Sequence, residues 1–95
     1  MNSHPHRLNR YMSKGDRIRA KTHGRCAYCG IKLKRRESTR DHMIPRSHGG
    51  QDTIENLWLC CRQCNKNKAN MSLERFRTIF FGDDRQFEFE RQRNE

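Results

Sequence analysis

The apolar residues of this chain fall into short groups separated by polar stretches, and the groups differ in period. The opening segment, MNSHPHRLNRYM, has no apolar period and reads as a loose basic arm over residues 1–12. Ser13 then stands where a helix N-cap is favoured, with Asp16 as a variant of the capping box and Gly24 suited to ending the element. This predicts a helix over about residues 14–22 whose inner side is chiefly Ile18 and Ala20. Residues 39–44 read as a short strand stopped by Pro45, and residues 56–60, NLWLC, as a second strand with Leu57 and Leu59 on one face. The connection RSHGGQDT is long for a hairpin. Leu73, Phe76, Ile79 and Phe80 recur at helical spacing between Ser72 and Gly82, which predicts a helix over 73–81 with one side turned to the core. From Asp83 the chain reads DDRQFEFERQRNE, where Phe87 and Phe89 alternate with polar residues and suit either an edge strand or a loose tail. The expected organisation is an arm over 1–12, a domain over 13–82 and a polar tail over 83–95.

These groups make a thin core. Leu, Ile, Val and Phe together number 15 of 95 residues, below the roughly 20% under which a highly charged chain tends to stay disordered. A small scaffold in that position needs disulfides or a structural metal. Four of the five cysteines form two Cys-x-x-Cys pairs, Cys26/Cys29 and Cys61/Cys64. Two thiolates three residues apart reach one tetrahedral ion, and two such knuckles close a four-sulfur zinc site. Disulfides would need an oxidising compartment, and the start MNSHPHRLNR lacks the apolar stretch of a signal peptide. A zinc site in a soluble, intracellular protein is the expectation. Cys60 breaks the two-by-two pattern and reads as a buried strand residue. No apolar run approaches the roughly 18 residues of a membrane span.

Charge changes the picture again. With 21 Lys and Arg against 11 Asp and Glu the formal charge is +10, which attracts a polyanion at a distance and binds it through counterion release. Nucleic acid is the favoured partner, with Arg40, Arg46, Lys66 and Lys68 as phosphate contacts. His23 and His48 have no setting that suggests chemistry, and Trp58 reads as core.

The candidate chemistry lies in residues 40–68, RDHMIPRSHGGQDTIENLWLCCRQCNKNK. Hydrolysing a phosphodiester requires an activated water, neutralised phosphate charge and help for the departing oxygen. His42 is suited to act as general base, since histidine's ordinary pKa lies near 6.5. Asp41 and Asn65 supply two hard oxygens, a sparse donor set that suits Mg²⁺ or another divalent cation such as Mn²⁺. Neighbouring strand residues point to opposite faces, so Asp41 and His42 can serve one phosphate only if the strand twists or ends there.

Counted from His42, Asn56 lies 14 and Asn65 lies 23 residues on, with Pro45, Gly49-Gly50 and the Cys-Asn-x-x-Lys ending in order. This pattern resembles the HNH endonucleases, also called His-Me finger or ββα-metal nucleases, over roughly residues 24–70. The resemblance implies a small α+β fold whose ββα core is stabilised by a four-cysteine zinc site and flanked by short helices. One of these should begin near Cys64, carry Asn65, Lys66 and Lys68 and bring amide hydrogens toward an anion. It further implies His42 as base, Asp41 and Asn65 as metal ligands, and Asn56 as the residue that holds the active-site loop. The implied activity is metal-dependent cleavage of double-stranded DNA, leaving 5′-phosphate and 3′-hydroxyl ends. Stand-alone domains of this pattern resemble those of phage packaging, mobile introns and restriction systems. A zinc-stabilised nucleic-acid-binding module without catalysis is the alternative; it has no use for a base beside a hard-metal site. A regulator engaging a protein partner would need a large apolar patch. Nothing in the sequence supplies a dimer helix, so a monomer that nicks one strand is expected.

Overall fold

The structure, a computed structural model, describes residues 12–93. The expected basic arm lies outside the described residues except for Met12. Ser13 caps the first helix, α1 (Lys14–Ala20): its hydroxyl accepts from the Asp16 N–H at 3.1 Å, and the Asp16 carboxylate pairs with Arg35 at 2.7 Å. Ile18 is the residue that α1 buries. The chain then turns tightly through Cys26 to Gly30, closed by Cys26 N–H to Ile31 O at 2.9 Å and Gly30 N–H to Cys26 O at 3.1 Å. Gly30 holds a φ of 82°, which a side chain would make strained.

Two antiparallel strands follow, β1 (Ser38–His42) and β2 (Leu57–Cys61), paired from Ser38 opposite Cys61 to His42 opposite Leu57. β1 ends two residues earlier than the sequence suggests because the ladder changes hands. Met43 N–H still donates to Asn56 O, but Ile44, restricted by the following Pro45, pairs with the side chain of Asn56 instead. Helix α2 (Arg62–Lys68) starts directly after β2 and packs against both strands, completing a ββα unit. Lys21 of the turn after α1 ties this unit to the first helix. Its ammonium donates to the carbonyls of Ile54 and Leu57 and lies 3.7 Å from the centroid of the Trp58 ring.

A group of four aromatic rings forms the centre of the core. Tyr28, Phe76, Phe87 and Phe89 are each at most 5% exposed and meet at ring-centroid distances of 5.0 to 6.3 Å. Ser72 caps α3 (Leu73–Phe76), which continues as a π-helical turn over Arg77–Phe81. That wider turn closes with Gly82 N–H on Arg77 O and moves the helical face off the expected stripe. Phe76 is buried, whereas Ile79 and Phe80 are half exposed at 50% and 45%, which corrects the one-sided core face expected over 73–81; Phe81 packs on Phe76 and Phe87 in their place. Phe87 and Phe89 form neither an edge strand nor a loose tail. They flank the start of α4 (Glu88–Arg93), which docks through Glu88 N–H to Tyr28 O at 3.0 Å and Phe89 N–H to Ala27 O at 2.8 Å. Arg77 clamps Glu90 with two bonds of 2.9 and 2.7 Å. A chain this short of apolar residues gains more by burying both rings than by leaving them in water.

Candidate active site and metal cluster

The two knuckles converge. The sulfurs of Cys26, Cys29, Cys61 and Cys64 all lie within 4.8 Å of one another, and those of Cys29 and Cys61 are 3.9 Å apart. Tetrahedral zinc with bonds of about 2.3 Å places its sulfurs about 3.8 Å apart, so the cluster fits that ion. The backbone prepares it: Tyr28 N–H points at Cys26 Sγ at 3.4 Å and Cys64 N–H at Cys61 Sγ at 3.3 Å. Burial, with the charge of Cys26 nearby, pushes Cys29 up to about 11, and the hydrogen bond with Cys26 followed by burial pushes Cys64 up strongly. Four thiolates so close repel unless a metal neutralises them. Cys60 is fully buried and outside the group, as its strand position suggests. In the first turn of α2 the Cys64 N–H is spent on the Cys61 sulfur and not on a phosphate.

Asp41 and His42 line one cleft of about 250 Å³ together with Arg40, Pro45, Arg46 and Asn65. The alternation of a regular strand is escaped because β1 ends at His42. Gly50 lies so close to the turn that a Cβ there would sit 1.7 Å from Ile44 O; only glycine fits. Asn56 holds the same turn with three bonds: its Oδ1 accepts from Ile44 N–H at 2.9 Å, and its Nδ2 donates to Ile44 O at 3.1 Å and Gln51 O at 3.0 Å. Loss of these bonds in Asn56→Ala should cost about 1–3 kcal/mol. In a domain of this size that lowers the Tm by several degrees in calorimetry, with a parallel fall in plasmid cleavage.

Asp41 is 6% exposed and is held by two groups that sequence reasoning missed or misread. Tyr28 donates its hydroxyl to Asp41 Oδ2 at 2.5 Å, and Lys68 Nζ lies 3.1 Å from the same oxygen. Burial first and the Asp41 charge second push the Tyr28 phenol far above its ordinary pKa, so it stays a donor. Lys68 is fully buried and also donates to His42 O at 3.0 Å. It is therefore corrected from a phosphate contact to the internal counter-charge of Asp41. A buried ammonium must be paired, and the carboxylate at the end of β1 is within its reach. Asn65 is anchored through its nitrogen, which donates to Thr39 Oγ1 at 3.0 Å. Among the described residues no hydrogen bond engages Asp41 Oδ1 or Asn65 Oδ1, which leaves each residue one oxygen for a cation. Arg40, Arg46 and Lys66 are exposed; Arg40 reaches over Gly15 of α1.

Residue Asp52, which no sequence signal singled out, touches the candidate base: its Oδ1 lies 2.5 Å from His42 Nε2. His23 and His48 are exposed and stand outside the cleft. Trp58 is partly buried and packs on Phe89 at the core's edge.

A strand pair, a crossing helix, a histidine at the strand end and asparagines from the loop and the helix are the features of the HNH nucleases. Residues 26–71, just under half of the chain, match the family model described as HNH endonuclease. A stretch of 46 residues, 47% of the chain, is 44% identical to the CRISPR-associated endonuclease Cas9 of Corynebacterium diphtheriae and spans 4% of that protein. The crystal structure of the Type II-C Cas9 enzyme from Actinomyces naeslundii superposes with a TM-score of 0.61 at 26% identity, over 73% of this chain and 8% of that one. The chain thus corresponds to a small fraction of these relatives' length. Among the described residues no helix is long and apolar enough to cross a membrane.

Proposed function

We propose that this protein is a metal-dependent endonuclease that hydrolyses phosphodiester bonds in double-stranded DNA. The observation that carries the reading is the meeting of His42, Asp41 and Asn65 on one cleft rimmed by Arg40 and Arg46. A binding module needs the arginines but not a base beside two free hard oxygens.

His42 accepts a proton from water, and the hydroxide so formed attacks phosphorus in line with the departing 3′ oxygen. Asp41 and Asn65 would hold a divalent cation, Mg²⁺ or Mn²⁺, each through the Oδ1 that no described residue engages. When bound, the cation stabilises charge on the phosphate and the leaving oxygen. Tyr28, Lys68 and Thr39 fix the two ligands in place. Asn56 and Gly50 keep the loop folded so that His42 and Arg46 face one opening. Arg40, Arg46 and Lys66 attract the phosphate backbone, in keeping with the net charge of +10. Zinc on Cys26, Cys29, Cys61 and Cys64 would serve structure only, since four thiolates leave no open position. Five cysteines with no disulfide among them suit a reducing compartment, the cytoplasm of a bacterial or phage-infected cell.

The test is supercoiled plasmid incubated with the zinc-loaded protein, with and without Mg²⁺. One cleft per chain addresses one strand, so a monomer is expected to give open circle first, with linear DNA later and rising with protein concentration. Linear product without an open-circle intermediate would indicate a preformed dimer. Retention of DNA with no cleavage in Mg²⁺ or Mn²⁺ would reject the enzymatic reading.

A further inference from the structure

Asp52 has no part in the chemistry described above, yet it makes the closest polar contact to the base. Its carboxylate lies 2.5 Å from His42 Nε2 through Oδ1, while Oδ2 is 4.0 Å from the Arg46 guanidinium. The residue does not dangle from the loop. Lys14 of α1 donates to its backbone carbonyl at 3.0 Å, and Asn56 holds the preceding carbonyl of Gln51 at 3.0 Å. We propose that Asp52 is a positioning residue for His42, fixing the imidazole so that Nε2 carries the hydrogen and Nδ1 is the nitrogen that takes the proton from water. This rests on the nuclease reading above.

An ionised carboxylate only accepts hydrogen bonds, and the bond to His42, reinforced by Arg46, holds Asp52 below the usual carboxylate range. Nε2 must then be the donor, which leaves the lone pair on Nδ1. Among the described residues no hydrogen bond engages that nitrogen. In the proton transfer the water O–H bond breaks and an Nδ1–H bond forms, and the imidazolium that results faces a carboxylate on its other side. That contact is worth more to the charged ring than to the neutral one, so Asp52 favours the transfer as well as the orientation. As a stability device it would mean little, since the Asp52 side chain is 55% exposed and surface pairs contribute little.

A carboxylate at the mouth of a cleft for a polyanion has an electrostatic cost, which gives the test its sign. If Asp52 were only a surface charge, removing it would tighten DNA binding and leave or raise the rate. If it positions His42, Asp52→Ala should bind DNA as well as or better than wild type by fluorescence anisotropy, while the single-turnover cleavage rate at saturating protein falls roughly tenfold or more. Asp52→Asn keeps an acceptor for Nε2–H without the charge and should lie between. A second readout does not depend on cleavage. In ¹⁵N-labelled protein a downfield imidazole proton on Nε2, assigned by its loss in His42→Ala, should be present in wild type, weaker in Asp52→Asn and absent in Asp52→Ala. If wild type fails to cut DNA but shows this pattern, the nuclease reading fails and the positioning contact stands. An Asp52→Ala rate within twofold of wild type, or a downfield proton that persists in that variant, would overturn the proposal.

Discussion

Exchange of Cys61 for Ser, or removal of zinc by a strong chelator, is expected to unfold the whole domain and not merely loosen one end. Cys61 closes β2, caps α2 through the Cys64 N–H and contributes one of the four clustered sulfurs. The cluster therefore joins the Cys26–Gly30 turn to the β2–α2 junction. Three of the buried core residues are themselves cysteines, Cys26, Cys60 and Cys64, and the rest are one group of four aromatic rings and five aliphatic side chains. So little apolar burial offsets only a small part of the chain entropy lost on folding, and metal binding in such domains is folding free energy. Far-UV circular dichroism should show loss of helix in step with zinc release, at one ion per chain by elemental analysis. A chain that stays fully folded with no metal bound would show that the aromatic core suffices.

His42→Ala should lower plasmid cleavage by about 10² or more, while DNA affinity and the slope of its salt dependence persist. The substitution removes the proposed base and leaves the exposed Arg40, Arg46 and Lys66, the proposed phosphate contacts, in place. Asp41→Ala is a poorer probe. It leaves the fully buried Lys68 ammonium without its carboxylate, and stranding a buried charge typically costs about 3–5 kcal/mol, so lost activity would not be separable from lost fold. The comparison has its own value: His42→Ala should melt close to wild type, and Asp41→Ala well below it. Equal cleavage by His42→Ala and wild type would remove His42 from the mechanism.

Much of the fold was legible because it rests on local chemistry. Ser13 and Ser72 cap helices through amides three residues on, and each Cys-x-x-Cys pair sets its own sulfur spacing. Two short strands joined by a long loop could be read from Pro45 and the Leu57/Leu59 alternation. Other elements could not be read that way. The π-helical turn at Arg77–Phe81 depends on how the helix end is packed, and it rotated Ile79 and Phe80 into solvent although their spacing is that of a core face. Phe87 and Phe89 alternate like a strand, but the space left beside Tyr28 and Phe76 drew them into the core at the start of α4.

By itself the sequence determined which residues can do chemistry, because histidine, asparagine and paired cysteines carry their donor atoms wherever they stand, and the motif spacing named Asp41, His42, Asn56 and Asn65. Only the tertiary structure decided their partners. Tyr28 and Lys68 reach Asp41, Thr39 reaches Asn65 and Asp52 reaches His42. Each of these contacts joins residues ten or more positions apart. At that separation the distance between two side chains depends on how β1, its loop and α2 pack. A basic side chain such as Lys68 looks like a phosphate ligand until the packing of α2 against β1 removes it from water.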